Sequence, residues 1–173
     1  RCVILGTSQN KTQERLLYPL LDYLAKLNGA PRAKWQGWQI TRIDGGANNL
    51  LYRATNAACD VAVKFTIRDE RDRAGREYAA LKALEQSGLQ IAPRPLLLDR
   101  ERYAQPVVVQ TWLSGTVSGT LPTTDADWRL LLAHLTAIHS VKPDRCNVTV
   151  QPAVITATSV AEGRALVAHH LAM

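Results

Sequence analysis

A lysine in the middle of an apolar run, Val61-Ala62-Val63-Lys64-Phe65, is the first residue in this chain placed to do chemistry. Strand alternation puts Val61, Val63 and Phe65 on one face and Ala62, Lys64 and Thr66 on the other. An unpaired buried ammonium is costly, so such a lysine either reaches water at a sheet edge or meets an acid. Glu77 is the candidate acid. In a helix read from about Ala74 to Ser87 and closed by Gly88, Glu77 falls within roughly 60° of Leu81 and Leu84 at about 100° per residue. It therefore lies on the stripe that faces the sheet, unless the helix is tilted enough to leave it on the surface. A well-buried carboxylate without a cation there would cost on the order of 3–5 kcal/mol, and Lys64 is the nearest candidate cation. Ala62 is small and on the lysine's face, which leaves room for a flat ring beside the charge.

Ahead of both residues, Asp44-Gly45-Gly46-Ala47-Asn48-Asn49 joins two β-runs, Trp38–Ile43 and Leu50–Thr55. Paired glycines permit positive φ and let backbone N–H groups approach an anion with no Cβ in the way. Most such bends only reverse a chain. Followed by a lysine strand and an acid-bearing helix, the bend completes an order of parts suited to gripping phosphate.

The elements that must hold these residues follow from periodicity. Leu16, Leu17, Leu20, Leu21, Leu24 and Leu27 are spaced for one helical face, with Pro19 expected to kink or restart that helix and Asn28-Gly29 and Pro31 to stop it. Asn56–Asp60 turns the chain into the lysine strand. After the mixed-charge connector 68–73 and the Glu77 helix, Leu96–Asp99 and Pro106–Gln110 read as two more strands. Thr111-Trp112-Leu113-Ser114-Gly115 then leaves the sheet toward a Ser/Thr/Gly-rich link ending at Pro122. Thr124 with Asp127 starts a helix whose apolar face is Trp128, Leu131, Leu132, Leu135 and Ile138. Ser159 with Glu162 starts another.

Composition restricts the alternatives. The chain has 173 residues, 46% hydrophobic and 21% charged, which suits a folded chain with one core or two small lobes. A formal net charge of +6 fits an anionic ligand such as a nucleotide. No basic run is interleaved with aromatics, so nucleic acid is not an expected partner. No apolar run approaches the roughly 20 residues of a membrane span. Cys2, Cys59 and Cys146 are scattered and form no C-x-x-C pair, which points to free thiols in a cytoplasmic setting and away from zinc. His134 and His139 read as packing or surface residues, and no metal site is expected. With Arg1 at one end and a helical pattern still running at Met173, both ends read as cut.

The ordered motifs Gly45-Gly46-Ala47-Asn48-Asn49 with Tyr52-Arg53, Val61-Ala62-Val63-Lys64, Arg76-Glu77 and Gln110-Thr111-Trp112-Leu113-Ser114-Gly115 resemble the amino-terminal lobe of the aminoglycoside phosphotransferase and choline kinase-like family, with its protein-kinase-like fold. Leu135-Thr136-Ala137-Ile138-His139 is similar to the family's helix into the second lobe, so the resemblance covers about Trp38 to His139. It implies an α+β fold: a five-stranded antiparallel sheet with one inserted helix, then helices of an incomplete second lobe. The implied parts are a helical segment 1–37, a nucleotide-binding lobe 38–115, and a linker with the first second-lobe helices, 116–173. Gly45, Gly46, Asn48 and Asn49 would lie over the phosphates of ATP, or of GTP, with Ala62 beside the base. Lys64 would grip the α- and β-phosphates with Glu77 fixing it, and Gln110, Thr111 and Trp112 would meet adenine through the main chain. The acceptor would be a small-molecule alcohol: an aminoglycoside, choline, ethanolamine, thiamine or a sugar.

The family's His-x-Asp loop, with an asparagine five residues beyond that aspartate and a metal-binding aspartate further on, has no counterpart here. None of the four histidines is followed by x-Asp, and Asp144 is the sole aspartate after Asp127. The expectation is the nucleotide-binding part of a kinase, cut before its catalytic loop, with no catalytic residue of its own and with Mg2+ ligands lying outside it. A non-catalytic kinase-like scaffold and a basic α+β nucleic-acid binder are the alternatives.

Overall fold

The computed structural model describes residues 9–27, 29–44, 49–115, 119–142, 145–151 and 159–171. The apolar run Cys2–Leu5, the bend residues Gly45 to Asn48, Asn28, Pro143, Asp144, Pro152 and the side chains of His169 and His170 lie outside the described residues.

In chain order the elements are α1 (Gln9–Leu24), β1 (Arg32–Trp35), β2 (Trp38–Ile43), β3 (Asn49–Thr55), β4 (Asp60–Thr66), α2 (Arg73–Gln86), β5 (Pro95–Asp99), β6 (Val107–Thr111), α3 (Asp125–His139) and α4 (Val160–Leu171). The strands form one sheet in the order β1-β2-β3-β4-β6-β5, and every neighbouring pair is antiparallel. The expected antiparallel sheet with a helix after the lysine strand is present, with six strands where five are read from sequence. The sixth, β1, comes from the segment expected to be helical. A two-residue turn, Gln36 at φ 42° and Gly37 at φ 81°, folds it onto β2. That left-handed pair is the hairpin geometry that matches strand twist, and Asn-Gly or Asp-Gly is its usual signature. Gln-Gly carries the signal weakly.

The two faces of the sheet have different neighbours. Leu17, Leu20, Leu21 and Leu24 of α1 are fully buried against Trp38, Ile40, Tyr52, Ala54, Val61, Val63, Phe65, Leu97, Val107 and Val109. The α1 stripe is narrower than its leucines suggest, because Leu16 is 62% exposed. Pro19 does not restart α1, which runs through it. Its position on the exposed side lets water satisfy the carbonyl that loses its helical N–H partner. A polar staple adds to this packing. Tyr103 donates its hydroxyl to Asp22 at 2.9 Å, Arg102 donates to both Asp22 oxygens at 3.2 and 2.8 Å, and the Arg102 guanidinium lies 4.8 Å from the Tyr18 ring centroid. Burial, reinforced by the Asp22 carboxylate, pushes the Tyr103 hydroxyl far above the usual phenol range.

The opposite face carries α2 over β5 and β6. Ala74, Gly75 and Ala83 are its buried residues, so small side chains let the helix sit close, while Leu81 and Leu84 stay half-buried. Thr124 caps α3 by accepting from the Asp127 N–H at 3.2 Å, and Ser159 caps α4 by accepting from the Glu162 N–H at 3.1 Å. Trp128, Leu131, Leu132, Leu135 and Ile138, the apolar face read for α3, are all exposed, as is Leu130. Six large apolar side chains exposed on one helix exceed the scattered single residues of an ordinary exterior.

Truncating a fully buried α1 leucine tests which side of that helix holds the core. Leu21→Ala should cost about 2–5 kcal/mol in chemical denaturation, whereas Leu16→Ala should stay within about 0.5 kcal/mol; equal losses would contradict this orientation.

Candidate functional site

Antiparallel partners that stand directly opposite each other point to the same side of a sheet, so register alone assembles a surface. Lys64 stands opposite Leu51 on β3 and Val108 on β6, and Leu51 stands opposite Ile43. The adjacent row is Thr41, Arg53, Ala62 and Gln110. Apolar Ile43, Leu51 and Ala62 thus flank the lysine on the face away from α1. Ile43 and Leu51 are not singled out by sequence. Strand alternation does place them there, once the pairing register is known.

From the other side, α2 brings Glu77 down onto this surface. Lys64 Nζ donates to Glu77 Oε2 at 2.7 Å, with the two side chains 24% and 27% exposed. The lysine is therefore paired across strand and helix and does not escape at an edge. A pair in this setting is shielded enough for its charges to matter and open enough for an anion to reach the ammonium.

Asn49 opens β3 opposite Thr66, on the same face as Lys64. Gly45, Gly46 and Asn48, expected over phosphate, lie outside the described residues. At the far end of β6, the Gln110 side-chain oxygen is buried with no hydrogen-bond partner among the described residues. The next two main-chain donors are committed to the sheet: Thr111 N–H donates to the Arg94 carbonyl at 2.9 Å and Trp112 N–H to the Asp60 carbonyl at 3.0 Å. A planar base meeting this crossing through N–H groups would find them at Leu113 and Ser114, both exposed, which make no main-chain bond among the described residues.

The crossing is anchored by a cluster that sequence did not reveal. Arg53 donates from Nε and Nη2 to the two Asp60 oxygens at 3.0 and 2.7 Å, Thr55 donates to Asp60 at 3.2 Å, and the guanidinium lies 4.6 Å from the Trp112 ring centroid. The bidentate fork needs arginine's plane. The Arg53 hydrogen bond holds the Asp60 carboxyl below the usual carboxylate range against an opposing effect of burial, and the same bond raises Arg53. A cavity of about 460 Å3 lies beside this crossing, bordered by Leu84, Leu89, Pro93, Thr111 and Leu113. Of the residues expected to meet a nucleotide, Thr111 lines it and Ala62 and Lys64 do not.

Among the described residues, no three His, Cys, Asp or Glu side chains gather to hold a metal ion, and no helix is long and apolar enough to cross a membrane. Neither Cys59 nor Cys146 is in a disulfide among the described residues.

Comparison with known proteins bears on the same region. Residues 39–168 match the model of the APH phosphotransferase enzyme family. Among solved structures, a spectinomycin phosphotransferase crystallised with ADP and spectinomycin is similar at a TM-score of 0.50 and 18% identity; the match covers 72% of this chain and 38% of that one. At this identity the likeness is one of fold. No curated protein matches the chain.

The Asp60 pair has a definite pH signature. A carboxylate whose folded pKa lies below its unfolded value contributes stability that is complete above the unfolded pKa, about 3.9, and is lost as pH falls through the folded pKa. The stability difference between the protein and Asp60→Asn should therefore shrink as denaturation is measured from pH 5 down to about pH 3. A pH-independent difference would remove the ionised pair from the account.

Proposed function

The chain belongs to the APH phosphotransferase enzyme family, its matched region spanning residues 39–168, and from that premise we propose that it is the nucleotide-binding part of an ATP-dependent kinase acting on a hydroxyl of a small molecule. The observation that carries this reading is the 2.7 Å contact between Lys64 and Glu77. Phosphoryl transfer relies on positioning and on neutralising charge, and a lysine held by a helix-borne glutamate is the part of a kinase lobe that does this for the α- and β-phosphates. Glu77 keeps the ammonium aimed into the cleft. Ile43, Leu51 and Ala62 supply an apolar ceiling for a base, and the chain leaving the sheet at Leu113 and Ser114 offers main-chain donors to its edge. Gly45, Gly46 and Asn48 stay in the proposal as the phosphate-covering bend.

The activity of a whole protein is a further step. The chain corresponds to 38% of the length of the spectinomycin phosphotransferase, and its sequence contains no His-x-Asp. The uncovered apolar face of α3 supports a second lobe packing there and supplying the aspartates. Among the described residues no cluster of His, Cys, Asp or Glu would hold Mg2+, and its ligands are proposed to lie in the second lobe. A small-molecule alcohol remains the proposed acceptor and the cytoplasm the proposed setting. A non-catalytic kinase-like scaffold is the second reading, and a downstream His-x-Asp in a longer reading frame separates the two. A basic nucleic-acid binder would gain support from Lys64 and Glu77 standing far apart with arginines gathered on one exposed face, whereas the two groups are paired at 2.7 Å.

Calorimetry with ATP tests the site directly. Lys64→Ala should weaken binding about tenfold or more, equivalent to ~1.4 kcal/mol, and Glu77→Gln should weaken it less. Full affinity in Lys64→Ala would take the lysine out of the site. To separate kinase from scaffold, a longer reading frame can be assayed for ATP-dependent phosphorylation of alcohols: a downstream His-x-Asp and measurable transfer are expected, and their absence would favour the scaffold.

A further inference from the structure

The position of Glu77 depends on how α2 is held, and its apolar grip is small. Ala74, Gly75 and Ala83 are its buried residues, and none of them offers much surface. The first turn of the helix is instead tied down by a polar contact to a distant part of the chain. Asp72 occupies the N-cap in the left-handed region, φ 42° and ψ 54°, an uncommon conformation outside glycine. Its Oδ1 accepts from the Gly75 N–H at 3.2 Å and from Arg100 Nε at 3.2 Å, while Oδ2 accepts from Arg100 Nη2 at 2.9 Å.

Gly75 makes this approach possible. A Cβ at that position would come within 2.1 Å of both the Arg100 guanidinium and the Asp72 carboxylate, so a side chain there would drive the two partners apart. The other end of the contact is itself fixed. Arg100 follows β5 directly, in a turn where Asp99 accepts from the N–H groups of Glu101 and Arg102 at 3.0 and 2.8 Å. Arg102 in turn grips Asp22 of α1. The Arg100 hydrogen bonds hold the Asp72 carboxyl below the usual carboxylate range, outweighing the effect of burial.

We propose that Asp72 and Arg100, brought together over Gly75, are positioning residues that set the seating of α2 so that Glu77 meets Lys64. The inference rests on the reading of that pair as a phosphate grip, and concerns what holds it in place. The fork is specific to arginine: lysine at position 100 can reach one carboxylate oxygen but cannot bind both in plane. Both partners are about half exposed, so the contact adds little to global stability, and its loss is read locally.

The experiment uses the nucleotide-free protein first. The rate at which an amine-reactive ester acylates Lys64 is followed by mass spectrometry in Arg100→Ala, Gly75→Ala, Arg100→Lys and Glu77→Gln. Arg100→Ala and Gly75→Ala should raise the rate toward that of Glu77→Gln, Arg100→Lys should restore part of the protection, and Arg100→Ala should add nothing in a Glu77→Gln background. An unchanged Lys64 rate in Arg100→Ala, or the same increase with and without Glu77, overturns the proposal. ADP binding then gives a second readout, with a loss of about fivefold expected for Arg100→Ala. An affinity that stays constant while Lys64 labelling rises overturns the link between this contact and the ligand. Wild-type protein that binds no ADP overturns the nucleotide reading, and the labelling result still decides the seating of α2.

Discussion

An ammonium that is three-quarters shielded needs a counter-charge at hydrogen-bond distance, and most of this architecture follows from meeting that need at Lys64. The lysine comes from a central strand of the sheet, and the acid comes from a helix that must lie across the same face. The helix can approach only through small residues, Ala74, Gly75 and Ala83. Larger side chains would lift it off the sheet and leave the charge alone in a medium that penalises it.

The two sides of the sheet therefore do different work. The α1 side is packed, with four buried leucines set against side chains of β2, β3, β4 and β6. The α2 side is only partly covered. It keeps Thr66 and Val108 buried but leaves the row of Ile43, Leu51 and Lys64 reachable. One face supplies stability and the other can then tolerate an exposed, charged cleft, a division common where a rigid scaffold carries a site.

Local patterns in the chain were readable, and distant ones were not. Alternation in Val61–Thr66 and the helical wheel around Glu77 were enough to bring the pair together, because each depends on neighbours within one element. The caps at Thr124 and Ser159 were legible for the same reason, and the family resemblance agrees with the match over residues 39–168. Arg53 with Asp60 and Trp112, Asp72 with Arg100, and Asp22 with Tyr103 depend on which loops meet in space, and no periodicity encodes that. Strand β1 was lost to a weak turn signal at Gln36-Gly37. For α2 the wheel marks the side with Leu81 and Leu84, which stay half-buried, while the buried residues are two alanines and a glycine. The main-chain donors of Thr111 and Trp112 are occupied by the carbonyls of Arg94 and Asp60, partners too far off in sequence for local pattern to indicate.

The short strand β1 also bears on how copies of this chain can meet. It lies at one end of the sheet, where unsatisfied backbone groups invite another strand to add on and growth to continue. Arg32 and Lys34 alternate along it, both exposed, so a second copy docking edge to edge would set cation against cation. Repulsion between like charges directly opposite each other disfavours that pairing. The border of the sheet thus discourages fibre-like stacking through two side chains of its own strand.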